Sequence, residues 1–126
     1  MLARAEGILR PLGLSFARYE LLTLLSFTRR GNLSMARAGT LLQVHPTSIT
    51  NSVSRLEKAE LVRRDPHPSD GRAFLIQITE QGRALGAEAT KHLNTALFTQ
   101  PGLPPQQLRT LFDVIRDLRH EAGDFT

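Results

Sequence analysis

Thr47, Ser48, Thr50, Asn51, Ser54 and Arg55 crowd into one short window of the 126-residue chain. Each carries a hydroxyl, an amide or a guanidinium, the groups that hydrogen-bond to base edges and phosphates. Ile49, Val53 and Leu56 interleave with them and fall in a narrow arc at about 100° per residue, as on an amphipathic helix. Thr47, Asn51, Ser54 and Lys58 project about 180° from that arc, with Thr50 and Arg55 flanking it. Short polar side chains on such a face let the helix backbone approach base edges in a major groove. Thr47 and Ser48 stand where N-terminal N–H groups collect phosphate. Asn51 has the geometry to pair with adenine, and Arg55 with guanine or phosphate; an ion pair with a nearby acid is the competing role for Arg55. The same pattern is generic for surface helices, so the surroundings must decide.

Composition narrows the field. The chain carries 16 basic and 12 acidic residues, a net +4, and all its basic residues except Lys58 and Lys91 are Arg. Arg offers phosphates and guanines a planar fork. The charge is concentrated early: residues 1–44 hold six Arg against Glu6 and Glu20, whereas 45–83 are nearly balanced and 84–126 slightly acidic. The absence of cysteine excludes disulfides, thiolate metal sites and a thiol redox switch. No stretch reads as a membrane span or a signal peptide, so a soluble cytoplasmic protein of one domain is expected. His45, His67, His92 and His120 have no metal-ligand spacing. No Ser-His-Asp set, P-loop or dinucleotide fingerprint is present, so neither catalysis nor a cofactor is expected.

The elements that position the polar window follow from punctuation and periodicity. A short helix over 2–10 ends at Pro11 and Gly13. Ser15 caps a helix from Phe16 to Thr28 whose leucines spread so widely that it should be central and buried on several sides. Arg29-Arg30-Gly31-Asn32 closes it, and Leu33 pairs briefly as a strand. Ser34 caps Met35 to Leu42, with Ala38, Leu41 and Leu42 as core candidates, Gly39 admitting the next helix closely, and Val44 plugging the core after the turn. Pro46 then opens the helix to about Glu60. Leu61–Asp65 and Arg72–Thr79 read as two strands joined by a long polar loop over 66–71, with Phe74, Ile76 and Ile78 on one face. Thr79 caps a helix to about Phe98 with Leu85, Ala89, His92, Leu93 and Ala96 aligned, and a last amphipathic helix covers about 105–122.

LGLSFARYELLTLL, the run ending in RLEKAELVRR, Asp70-Gly71-Arg72, and the T-E-x-G-R pattern at Thr79 to Arg83 together resemble the MarR family over nearly the whole chain. The resemblance implies a mainly α fold with a small β-wing: a winged helix-turn-helix with N- and C-terminal dimerisation helices. It implies a DNA-binding part over about 16–79, dimerisation helices over 1–12 and 80–126, and a homodimer on a palindromic double-stranded DNA operator. It also implies a small aromatic or phenolic effector bound between dimer helices and DNA-binding part. By the same resemblance Arg72 at the wing tip reaches a minor groove and Asp70 orients its guanidinium; a plain Asp–Arg surface pair in the turn is the competing role. The chain departs from the family pattern at His45, often Ser; at Gln43, commonly Gly; at Ala38-Gly39, frequently Leu-Ala; and in having only twelve residues before Gly13.

Arg63 and Arg64 alternate across a strand, so only one faces DNA, and Arg64 is taken as that one. Arg29, Arg30 and Arg37 are expected to be solvated rather than bound to phosphate. Phe16, Tyr19, Phe27 and His92 are candidates for an effector pocket, each competing with a plain core role. Two functions therefore stand: a sequence-specific DNA-binding repressor, and a winged helix used as a protein-interaction module without a specific DNA site.

Overall fold

The computed structural model describes residues 2–97, so the helix expected over 105–122 lies outside the described residues. The elements are α1 (Leu2–Leu9), a 3-10 turn (Arg10–Leu12), α2 (Phe16–Ser26), β1 (Asn32–Ser34), α3 (Met35–Leu42), α4 (Pro46–Lys58), β2 (Val62–His67), β3 (Asp70–Ile78) and α5 (Glu80–Leu97).

α2 is the hub, as its wide apolar surface requires. Leu21, Leu22, Leu24 and Leu25 are all fully buried, and the helix packs on α1, α3, α4, α5 and the sheet. Ser15 caps it, its Oγ accepting from the Arg18 N–H at 3.2 Å. The helix stops at Ser26, two residues before the expected end: Thr28 turns its hydroxyl onto the Leu25 carbonyl at 2.8 Å, and Gly31, at φ 74°, swings the chain into β1.

α3 is capped by Ser34, whose Oγ accepts from the Arg37 N–H at 3.0 Å. It ends at Gln43, which takes the left-handed conformation at φ 57° that glycine adopts freely and that costs a residue with a Cβ about 1–2 kcal/mol. At this corner one expectation fails and two hold only in part. Val44 is 38% exposed rather than a core plug, because its N–H is tied back to the Gly39 carbonyl and the turn leaves the side chain outside. Leu41 and Leu42 are half-buried, Leu42 packing against the core, while the eight-residue α3 turns only Ala38 fully inward. A methyl on Gly39 would meet Ile49 Cγ1 at 3.5 Å, an ordinary contact, so α4 does not demand glycine there.

The hairpin is longer and its tip tighter than the sequence indicates. The three strands form an antiparallel sheet in the order β1-β3-β2. β2 continues through Pro66 and His67, where a loop was expected; as an edge strand it has one side free of ladder bonds, where a missing N–H costs nothing. Only Pro68 and Ser69 lie between the strands. Pro66 pairs with Phe74 and His67 with Asp70, so Gly71, Arg72 and Ala73 are bulged out of β3. Ile76 and Ile78 are buried as expected, but Phe74 on the same face is 46% exposed near the tip.

Thr79 joins this hairpin to α5. Its Oγ1 accepts from the Gly82 N–H at 3.0 Å and donates to the Glu60 carbonyl at 2.8 Å, while its own N–H reaches the Leu61 carbonyl at 3.1 Å. Gly82 packs directly on that Leu61 carbonyl, leaving no room for a Cβ, and a methyl would also meet Ile78 Cγ1 at 2.9 Å. Gly82→Ala should therefore lower stability by about 2 kcal/mol, through displacement of backbone rather than a flexible side chain, and chemical denaturation measures it. Glu20, half-buried on α2, gives a pH signature. Burial pushes its carboxyl up from 4.5 to about 7, so the folded state holds the proton more tightly than the unfolded chain. Its contribution is fully present below about pH 4.5 and is lost as pH rises through 7. Glu20→Gln should flatten the fall in melting midpoint between pH 5 and 8, read by thermal melts across that range.

Candidate nucleic-acid interface

α4 is held by the stripe its periodicity announces: Ile49, Val53 and Leu56 are 3%, 0% and 1% exposed. The opposite face is open. Thr47, Ser48, Thr50, Asn51 and Arg55 are exposed and Ser54 is half-buried. Thr50 Oγ1 donates to the Pro46 carbonyl at 3.1 Å, so its proton is committed and its lone pairs remain available. Arg55 has no ion pair among the described residues, which removes the competing role on that part of the chain.

The start of α4 is capped in an unusual way. His45 has extended backbone angles, and its Nδ1 accepts from the Thr47 N–H at 3.1 Å, standing in for the hydroxyl oxygen of an ordinary cap. Pro46 supplies the first helical residue without an unpaired N–H. The same device recurs at the hairpin tip: His67 Nδ1 accepts from the Ser69 N–H at 3.1 Å across Pro68. Both His-Pro turns therefore use the imidazole Nδ1 as the acceptor that closes the turn. By residue type His45 is only a lost hydroxyl; the signal for the cap in the sequence is the repeated His-Pro-hydroxyl order at 45–47 and 67–69.

The two strand arginines behave differently. Arg63 faces outward and pairs with Asp65, Nε to Oδ1 at 3.0 Å. Arg64 turns back to α4, where its Nε donates to Glu57 Oε1 at 3.0 Å and its Nη2 to Ser54 Oγ at 3.1 Å. Arg64 is thus fastened to the open face of α4, and Glu57, which sequence reading did not single out, is the acid that holds it. Both side chains are partly exposed, so the pair contributes about 0.2–1 kcal/mol to stability. The backbone of Asp70 and Arg72 lies in β3 at the bulge; their side chains lie outside the described residues. Arg29 and Arg30 are exposed beyond α2, and Arg37 is half-buried on α3.

Three of the four effector candidates belong to the core, and the fourth lies on the surface. Phe16 and Tyr19 are core residues, 3% and 1% exposed, with rings 6.0 Å apart, and Tyr19 Oη lies 2.8 Å from Thr90 Oγ1 on α5. Phe27 packs on the core edge. His92 was expected on the inner face of its helix but is exposed; it lines a groove of about 550 Å³ with Ile8, Pro11, Glu88, Lys91 and Thr95. A separate cleft of about 450 Å³ runs between α3 and α4, lined by Met35, Gly39, Val44, Pro46, Ile49 and Thr50. Among the described residues no group of three His, Asp or Glu is placed to hold a metal, and no helix is long and apolar enough to cross a membrane.

The comparisons with known proteins agree with this geometry. The model of the MarR family matches residues 12–73. The chain is similar to the solved structure of Sco5413, a MarR family transcriptional regulator from Streptomyces coelicolor: 40% identity, TM-score 0.73, covering 98% of this chain and 86% of that one. It is similar to Sco3205 from the same organism, solved in complex with DNA, at 25% identity and TM-score 0.67, covering 95% and 77%. It is also similar to CouR from Rhodococcus jostii RHA1, solved bound to p-coumaroyl-CoA, at 29% identity and TM-score 0.71, covering 97% and 83%. The chain spans about half the length of two curated relatives it matches, both described as uncharacterized HTH-type transcriptional regulators. With its three-stranded wing, its helix pair α3–α4 and its likeness to Sco5413 along nearly the full length, this chain belongs to the MarR family.

Proposed function

We propose that the chain is a sequence-specific, double-stranded DNA-binding repressor that works as a ligand-responsive homodimer on a palindromic operator. The observation that carries this is the open polar face of α4, which stands on a buried Ile49–Val53–Leu56 stripe beside the hairpin. A rigid helix with short exposed side chains enters a major groove without being held off by long ones. Thr47 and Ser48 take backbone phosphate at the capped helix start, Asn51 reads adenine, and Ser54 and Arg55 complete the face. The hairpin, with Asp70 and Arg72 at its bulge, lies against the flanking minor groove. In a two-fold dimer the two α4 helices enter major grooves about 34 Å apart.

That Sco3205 was solved in complex with DNA supports DNA binding, and that CouR was solved bound to p-coumaroyl-CoA supports a small aromatic or phenolic effector. The N-terminal helix α1 and the segments from 80 onward supply the dimer contacts in this reading.

Fluorescence anisotropy on a duplex enriched from a random library by the wild-type protein tests the reading against an unrelated duplex of equal length. Specific binding with two protomers per duplex is the expected result. Asn51→Ala should lose at least tenfold on the enriched duplex, about 1.4 kcal/mol, and little on the other. Arg72→Ala should weaken both and reduce the salt slope by about 1. Equal, weak binding of the wild type to every duplex would instead favour a protein-interaction module.

A further inference from the structure

We infer that Glu57 is a positioning residue for DNA recognition: it fixes the Arg64 guanidinium on α4 and so keeps that arginine from acting as a free phosphate contact. The inference rests on the DNA-binding reading above and concerns how that same interface discriminates.

Three observations carry it. Arg64 leaves β2 at a register position opposite buried Ile76, so its side chain starts from the inner side of the hairpin and crosses to α4. There it is held at two points, Nε on Glu57 Oε1 at 3.0 Å and Nη2 on Ser54 Oγ at 3.1 Å. Ser54 lies on the same helical arc as Thr47 and Asn51, so the guanidinium is parked on the edge of the recognition face itself. A guanidinium has five N–H donors in a fixed plane. With two engaged, three remain, and they keep one orientation because the plane is fixed at both points.

The charge balance points the same way. An acid beside a DNA-binding face repels phosphate, and here Glu57 is the only acid on α4. Its carboxylate is directed at Arg64, so the pair is close to neutral as a unit. Held, Arg64 offers direction more than charge, and directional contacts discriminate between base sequences where bare charge does not. Released, the same arginine is a long flexible cation that any phosphate can capture, which adds affinity without sequence preference.

The test is a double-mutant cycle on the full chain, with anisotropy on the enriched and the unrelated duplex over a salt series. Glu57→Ala should tighten binding to the unrelated duplex about three- to tenfold, steepen its salt slope by about 1, and lower the ratio of specific to non-specific affinity by at least fivefold. Glu57→Gln keeps an amide oxygen for the Arg64 Nε–H, so it should retain most of that ratio while raising affinity for both duplexes alike. In an Arg64→Ala background Glu57→Ala should leave the ratio unchanged. Circular dichroism melts confirm that each variant is folded, and Glu57→Gln carries the test if Glu57→Ala is not. The inference is overturned if Glu57→Ala shifts the ratio equally with and without Arg64, which would make Glu57 a bare charge. It is also overturned if the ratio does not move in a folded Glu57→Ala protein that still prefers the enriched duplex. A wild-type protein that enriches no duplex would remove the DNA-binding reading and this inference with it.

Discussion

The hydroxyl of Thr79 stands where three pieces of the structure meet. It receives the Gly82 N–H, which starts α5, and gives its proton to the Glu60 carbonyl, just past the end of α4. Gly82 lies on the Leu61 carbonyl at the root of β2 because it has no Cβ. Arg83 reaches back to the Ser26 carbonyl at 3.4 Å, at the end of α2, and its guanidinium fills the space beside Gly31. The T-E-x-G-R pattern is therefore a joint: one side chain caps a helix and latches another, one missing side chain permits the approach, and one cation closes the end of α2. Each bond alone is worth about 1 kcal/mol, yet together they fix the angle between α4, the hairpin and α5.

A joint at the root would leave the far ends of α4 and the hairpin free to splay, and a second fastening sits farther out. Arg64 spans from β2 to Glu57 and Ser54, so helix and hairpin are tied at both the root and the middle. The hairpin beyond that point has no such tie among the described residues. It narrows to a two-residue turn braced by His67, and its face there carries the exposed Phe74. Fastening is thus graded, from a packed root to a bulged tip.

Much of this was legible from residue order, and the misses share a cause. The α4 stripe, the Ser15 and Ser34 caps, the short strand at Leu33 and the central α2 all follow from local rules of period and capping, and all are present. The errors arose where tertiary context overrides a local rule. Pro66 reads as a strand breaker, but an edge strand tolerates it, a position that only strand order reveals. Val44 is apolar and follows an apolar helix, and Phe74 is in phase with buried Ile76 and Ile78, yet both lie where little covers them. At the candidate interface the residue types on α4 were readable from spacing. The partner of Arg64 was not, because Glu57 and Arg64 lie on different elements and come together only through the fold. His45 as a cap was hidden because imidazole nitrogen is a rare substitute for a hydroxyl.

The arrangement also constrains how such a molecule can be switched. α4 is anchored by three buried side chains, tied to the hairpin by Arg64 and fixed to α5 through Thr79, so the helix cannot shift in its seat without unpacking the core. In the ligand-responsive dimer proposed above, an effector would then move the head of α2, α4 and the hairpin as a body, and α5 is the element joined to them through Thr79 and Tyr19. Tyr19 and Thr90 bind α2 to α5 a further three turns along, so a tilt of α5 carries α2 and the whole head with it. In a two-fold dimer a small tilt at each α5 becomes a change in the separation of the two α4 helices. Since two major grooves present themselves only about 34 Å apart, separation is the quantity to which such a dimer is sensitive. A ligand shifts it only by binding one separation better than the other. In the dimer proposed above, the joints that hold the α4 face are therefore also the joints that would carry a distant contact to it.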